Sequence, residues 1–154
     1  MIEQQFISKS TQQTERLGEQ IGKQLKGGEV FVLKSDLGGG KTTFVRGLAR
    51  GFGSKDPVAS PTFTISLVYS RPDNKQLHHF DFYRLDDAGI VGMEIAEVAG
   101  DTDRVVAVEW ADPVQDVLPK DTIHIHIKQA NDENRELNLA LPKNKGYLLE
   151  GATS

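Results

Sequence analysis

Residues 35 to 44 read SDLGGGKTTF, and this stretch limits the possible folds more than any other. It nearly matches G-x-x-x-x-G-K-[ST], the pattern of a loop that cradles phosphates. Gly40, Lys41 and Thr42 fit, while Ser35 stands where the pattern has its first glycine. Such a loop requires a strand before it and a helix after it. EVFVLKS (29–35) is a short run of apolar and β-branched residues and predicts the strand. KTTFVRGLARGFG (41–53) predicts the helix, with Phe44, Val45, Leu48 and Phe52 as its apolar face and Gly51 and Gly53 as stop signals.

The chemistry needs three kinds of group. Backbone N–H groups must point at an anion without side chains in the way, which suits Gly38, Gly39 and Gly40. A cation must reach the outer phosphates, which suits Lys41, and a hydroxyl in the first helical turn must hold magnesium, which suits Thr42. The start of the helix adds its own partial positive charge. Ser35 is tolerable if its backbone angles are ordinary; a positive φ there would cost about 1 kcal/mol or more.

The rest of the chain places this unit in a larger sheet. STQQTERLGEQIGKQLKGG (10–28) predicts a helix with Leu17, Ile21 and Leu25 on one stripe, capped by Ser10 or Thr11 and ended by Gly27-Gly28. FTISLVYS (63–70) and KQLHHFDFY (75–83) predict a hairpin around the turn RPDN. DDAGIVGMEIAEVAG (86–100) reads as one or two short helical pieces, and DRVVAVEW (103–110) as a buried strand. LPKDTIHIHIKQ and NRELNLAL predict a second hairpin around ANDEN (130–134). The alternation at the front and the hairpins later predict a mixed sheet flanked by helices, in one domain over residues 1–154.

Composition narrows the function classes. A formal net charge of −4 argues against a chain that grips nucleic acid by itself. With no cysteine there is no disulfide, thiolate metal site or cysteine nucleophile. The start of the chain lacks the basic and apolar regions of a secretory signal, and no run approaches the roughly 18 apolar residues of a membrane span. A cytoplasmic location is the default expectation.

Magnesium at a phosphate loop also calls for a carboxylate at the end of a second strand. Asp81 and Glu109 both lie at or near the ends of predicted strands, where open α/β sheets bind ligands. Thr62, in SPTF, is a loop hydroxyl of the kind that senses a terminal phosphate in switch loops. Arg84 and Arg135 are either phosphate contacts or solvated charges. His78 and His79 are neighbours on a strand and face opposite sides, whereas His124 and His126 share a face but lack an obvious third ligand. Trp110 reads as packing or as the edge of a base pocket.

DLGGGKTTFVRGL, SPTF, HFDFYRL and VEW occur in this order, and together they resemble the TsaE (YjeE) family of bacterial P-loop ATPases. The resemblance runs from the first helix to about residue 142, and HFDFYRL and VEW are not general features of phosphate loops. The family's loop usually reads GDLGAGKTT, so Ser35 and Gly39 depart from it. The resemblance implies a three-layer α/β/α P-loop NTPase-like domain with a mixed parallel and antiparallel sheet. It implies that Gly38, Gly39, Gly40, Lys41, Thr42 and Thr43 wrap the phosphates of ATP. Thr42 and Glu109 would hold Mg2+, Asp81 would be the Walker B carboxylate placing metal or water, and Thr62 would lie in a switch-like loop. Thr11 and Arg135 would border the nucleotide. The implied activity is an ATPase needed for tRNA threonylcarbamoyladenosine (t6A) synthesis. It acts on a complex of TsaB- and TsaD-type proteins and meets tRNA only through them.

Three other functions use the same loop. A small-molecule kinase would need an acceptor pocket and an arginine-rich lid, and no such lid is recognisable in the sequence. A guanine-nucleotide switch would carry N-K-x-D, but NKGY (144–147) ends in Tyr147. A nucleotide-gated binding module without turnover differs from the ATPase only in how water is positioned, which residue types do not encode.

Overall fold

A computed structural model describes residues 1–35, 40–58, 66–82, 89–132 and 134–152. Among these described residues there are seven strands: β1 (Ile2–Ser8), β2 (Val30–Ser35), β3 (Ser66–Ser70), β4 (Gln76–Asp81), β5 (Arg104–Glu109), β6 (Ile123–Gln129) and β7 (Arg135–Leu141). Three α-helices accompany them: α1 (Thr11–Gly22), α2 (Lys41–Phe52) and α3 (Gly89–Val98). Short 3-10 helices cover Asp112–Val117 and Lys143–Leu149.

The strands form one mixed sheet in the order β1-β7-β6-β2-β5-β4-β3. Its centre is parallel, because β2 pairs with β5 and β6, and β4 pairs with β5. Both flanks are antiparallel: the predicted hairpins β3–β4 and β6–β7, and β1 against β7. In the β3–β4 turn, Asn74 takes a left-handed φ of 68°, which asparagine tolerates better than most residues.

Alternation along the strands decides which face each helix covers. Phe31, Leu33, Ala107, Ile123, Ile125, Ile127, Leu137 and Leu139 share one core with Leu17 and Ile21 of α1 and Phe44, Val45, Leu48 and Phe52 of α2. Val30, Phe80, Phe82, Val106 and Val108 face the other way, against Ile95 of α3 and Val114 of the 112–117 turn. This is the expected three-layer arrangement, and the two outer layers are unequal.

α1 and α2 cross at backbone distance. A Cβ on Gly18 would lie 2.4 Å from the Phe44 carbonyl oxygen, and one on Gly22 would lie 2.3 Å from that of Leu48. In return, a Cβ on Gly47 would lie 1.9 Å from the Glu15 oxygen, and one on Gly51 would lie 2.1 Å from that of Glu19. The sequence reading took Gly51 as a helix stop. It lies inside α2, at the crossing, and the helix ends at Gly53, whose φ of 108° closes it.

One further boundary differs from expectation. Ser10 caps α1, accepting a hydrogen bond from Gln13 N at 3.1 Å, but the helix ends at Gly22 and not at Gly27-Gly28. Beyond it, the buried Glu29 carboxylate accepts the N–H groups of Lys26 and Gly27, each at 2.7 Å, and so holds the chain in a turn. Residues 89–98 form one helix, within the one or two pieces expected over 86–100. β1 was not anticipated: IEQQFIS buries only Phe6 and Ser8, as suits a polar edge strand. Among the described residues no helix is long and apolar enough to cross a membrane.

Candidate functional site

Because β2, β4 and β5 run parallel, their C-terminal ends meet at one edge of the sheet. Asp81 and Glu109 are register partners there, the last residues of β4 and β5. Leu33 of β2 pairs with Glu109 on the other side. α2 starts at the same edge. Gly40 is its N-cap residue, with a φ of 100° that favours glycine, and no side chain caps the helix. Lys41, Thr42 and Thr43 form its first turn.

Ser35 is the last residue of β2 and is buried. Among the described residues the only non-glycines with left-handed backbone are Asn74 and Trp110. The serine therefore fills the first-glycine position of the loop pattern in ordinary extended backbone, without strain at its own φ.

The lysine is only 8% exposed. Its Nζ lies 4.0 Å from Glu109 Oε1 and 4.4 Å from the centre of the Trp110 ring. Glu109 is itself 2% exposed, and its other oxygen, Oε2, lies 2.6 Å from His79 Nε2. His79 is fully buried, and its Nδ1 lies 3.3 Å from the Tyr69 hydroxyl. Trp110, next to the carboxylate, has a φ of 57°, a conformation costing an L-residue about 1–2 kcal/mol. Strain of this kind persists where surrounding contacts over-determine it, and it gathers at functional sites.

On the other side of the α2 start lies a polar cleft of about 440 Å³, lined by Ser10, Thr11, Gly40, Thr43, Asp132 and Arg135 among others. The structure thus brings Thr11 and Arg135, far apart in sequence, to the same cleft as the loop glycine. Gly38, Gly39, Thr62 and Arg84 lie outside the described residues.

The oxygen donors suit magnesium by type. Thr42 offers a hydroxyl, and Asp81 and Glu109 offer carboxylates on adjacent strands. Mg2+ takes hard oxygen ligands, typically one or two carboxylates, waters and substrate phosphates. Among the described residues no three His, Cys, Asp or Glu side chains form a metal cage. His124 and His126 do share the face of β6 that points away from α1 and α2, beside a larger concavity of about 910 Å³. That concavity does not include the loop lysine or either strand-end carboxylate.

Two residues of this constellation were missed in the sequence reading. His79 and Tyr69 join it through the pairing of β4 with β5 and of β3 with β4, which place Tyr69 and His79 on the same face as Glu109. The opposite facing of His78 and His79 was the available signal, but it named no partner.

Comparison with known proteins places the whole chain among relatives. The family model described as "Threonylcarbamoyl adenosine biosynthesis protein TsaE" matches residues 8–137. The chain is 38% identical over 138 residues to the tRNA threonylcarbamoyladenosine biosynthesis protein TsaE of Treponema pallidum, covering 87% of this chain and 98% of that one. The Bacillus subtilis protein of the same name is 39% identical over 126 residues, covering 80% and 77% respectively. The crystal structure of YdiB from Bacillus superposes with a TM-score of 0.76 at 30% identity, over 98% of this chain and 94% of that one.

Proposed function

This chain belongs to the TsaE family, and from that premise we propose that it is a magnesium-dependent, ATP-binding and hydrolysing subunit of tRNA threonylcarbamoyladenosine synthesis. In this reading it is cytoplasmic and acts on a complex of TsaB- and TsaD-type proteins, resetting that complex between rounds of threonylcarbamoyl transfer to the adenosine 3′ of the anticodon. It touches tRNA only through the complex, which suits its net charge of −4.

The observation that carries this reading is the convergence of Lys41, Asp81 and Glu109 at the start of α2. A helix start with no side-chain cap, next to a lysine, suits a polyphosphate. Gly38 to Thr43 would supply N–H groups to it, and Lys41 would leave Glu109 to meet its outer oxygens. Thr42, Asp81 and Glu109 would hold Mg2+, which when bound neutralises phosphate charge. Glu109 or Asp81 would orient the attacking water. Thr11, Thr43 and Arg135 would line the nucleotide on the cleft side, and Thr62 would respond to the terminal phosphate.

The test is ATP hydrolysis by the purified chain, alone and with a TsaB–TsaD pair, with Lys41→Ala as control. Turnover that rises with the partners and vanishes in the variant is expected. Turnover indifferent to the partners would remove the tRNA-modification role, and full activity in Lys41→Ala would remove the loop from the argument.

A further inference from the structure

Glu109 needs an account of its orientation. A glutamate side chain has three rotatable bonds, and this one ends in a pocket that leaves it 2% exposed. Burying a polar group is unfavourable unless it is hydrogen-bonded, and an apolar side chain at position 79 would leave Glu109 Oε2 without its partner at 2.6 Å. Instead, β4 brings in a fully buried imidazole.

An ionised carboxylate only accepts, so the imidazole carries a hydrogen on Nε2 and donates it to Glu109 Oε2 at 2.6 Å, while its Nδ1 lies 3.3 Å from the Tyr69 hydroxyl. Oε1 is then the oxygen left facing Lys41, 4.0 Å away. The pairing of β3, β4 and β5 fixes the spacing of the whole line.

We propose that His79 is a positioning residue: held by Tyr69, it pins one oxygen of Glu109 so that the other faces the phosphate loop. The inference rests on the nucleotide-site reading above. Groups hydrogen-bonded to a metal- or water-orienting ligand typically change affinity or activity by about 10–100-fold when removed.

The experiment compares His79→Leu, His79→Gln and Tyr69→Phe with the unaltered chain. Calorimetry measures ADP affinity with and without Mg2+, and hydrolysis assays separate kcat from KM. In His79→Leu, affinity without Mg2+ should hold, the gain on adding Mg2+ should fall about tenfold, and kcat should fall about 10–100-fold at similar KM. His79→Gln, whose amide can still donate to the carboxylate, should recover most of both. Tyr69→Phe should show a smaller loss of the same pattern.

A folded His79→Leu chain with an intact Mg2+ effect and kcat would overturn the inference alone. So would a His79→Gln chain as impaired as its leucine counterpart. If His79→Leu does not fold, the glutamine and phenylalanine variants carry the same test. An unaltered chain that binds neither ADP nor ATP would instead overturn the nucleotide-site reading, and this inference with it.

Discussion

The two faces of the sheet are built on different rules. On one, α1 and α2 interlock through four glycines and seal an apolar core running from Phe6 of β1 to Tyr69 of β3. On the other, α3 and the 112–117 turn contribute to a smaller core against β4, β5 and Val30 of β2. The remaining half presents polar rows such as Lys34, His126, Asn138 and Gln5, aligned by register across four strands. The site belongs to the first face. Lys41 opens α2, and His79 and Glu109 point to the same side as Leu77 and Ala107. The interlocked face must therefore hold position to a fraction of an ångström, while the open one need only stay solvated.

Substitutions can break or sharpen this contrast. Phe44→Ala empties the centre of the interlocked core and should destabilise by about 3–5 kcal/mol, read from urea unfolding. A loss below about 1 kcal/mol would mean that the core collapses easily and that the two faces differ less than described. Gly47→Ala forces a methyl group toward the Glu15 carbonyl and should cost about 1–3 kcal/mol, despite the better helix propensity of alanine. It should also weaken ADP binding, because α2 carries the loop lysine. Unchanged affinity in a destabilised Gly47→Ala chain would uncouple the crossing from the site.

The second face should report itself through pH. His78 lies there, its pKa lowered below the ordinary 6.5 by burial and then by the Arg104 charge, against the opposing pull of Asp101. The unfolded chain thus takes up a proton before the folded one does. Its contribution to stability is full above about pH 6.5 and declines as pH falls from there toward the folded value. Thermal unfolding of His78→Gln between pH 7.5 and 5 should show a flatter decline than the parent, and an identical slope would contradict the assignment. Smallest of all should be His124→Ala on the open half of the sheet, within about 0.5 kcal/mol of the parent in the same urea assay.

The strand β2, the helix α2 and both hairpins were legible because apolar spacing and turn residues agreed there. Asp81 and Glu109 were legible as strand ends, though only the register shows them side by side. β1 was not legible, since Glu3, Gln4 and Gln5 carry no buried alternation and β7, its strand partner, lies at the other end of the sequence. The glycines at 18, 22, 47 and 51 were visible at four-residue spacing. A glycine in a helical run reads as a weakness until the opposing helix is known. His79 was hidden for a similar reason: its partners are set by strand pairing, which local sequence does not encode.

The pairing of β1 with β7 has a consequence in time. Ser8 meets Arg135 from the other end of the sequence, so this edge is among the most non-local contacts in the chain. Contacts of that kind form slowly, because a long loop must close before they give anything back. Thr11 follows β1 directly and Arg135 begins β7, so both walls of the cleft beside the loop wait on that closure. On a ribosome, α2 and the loop lysine would emerge well before the cleft existed, and its two walls would come together only when β1 had joined β7.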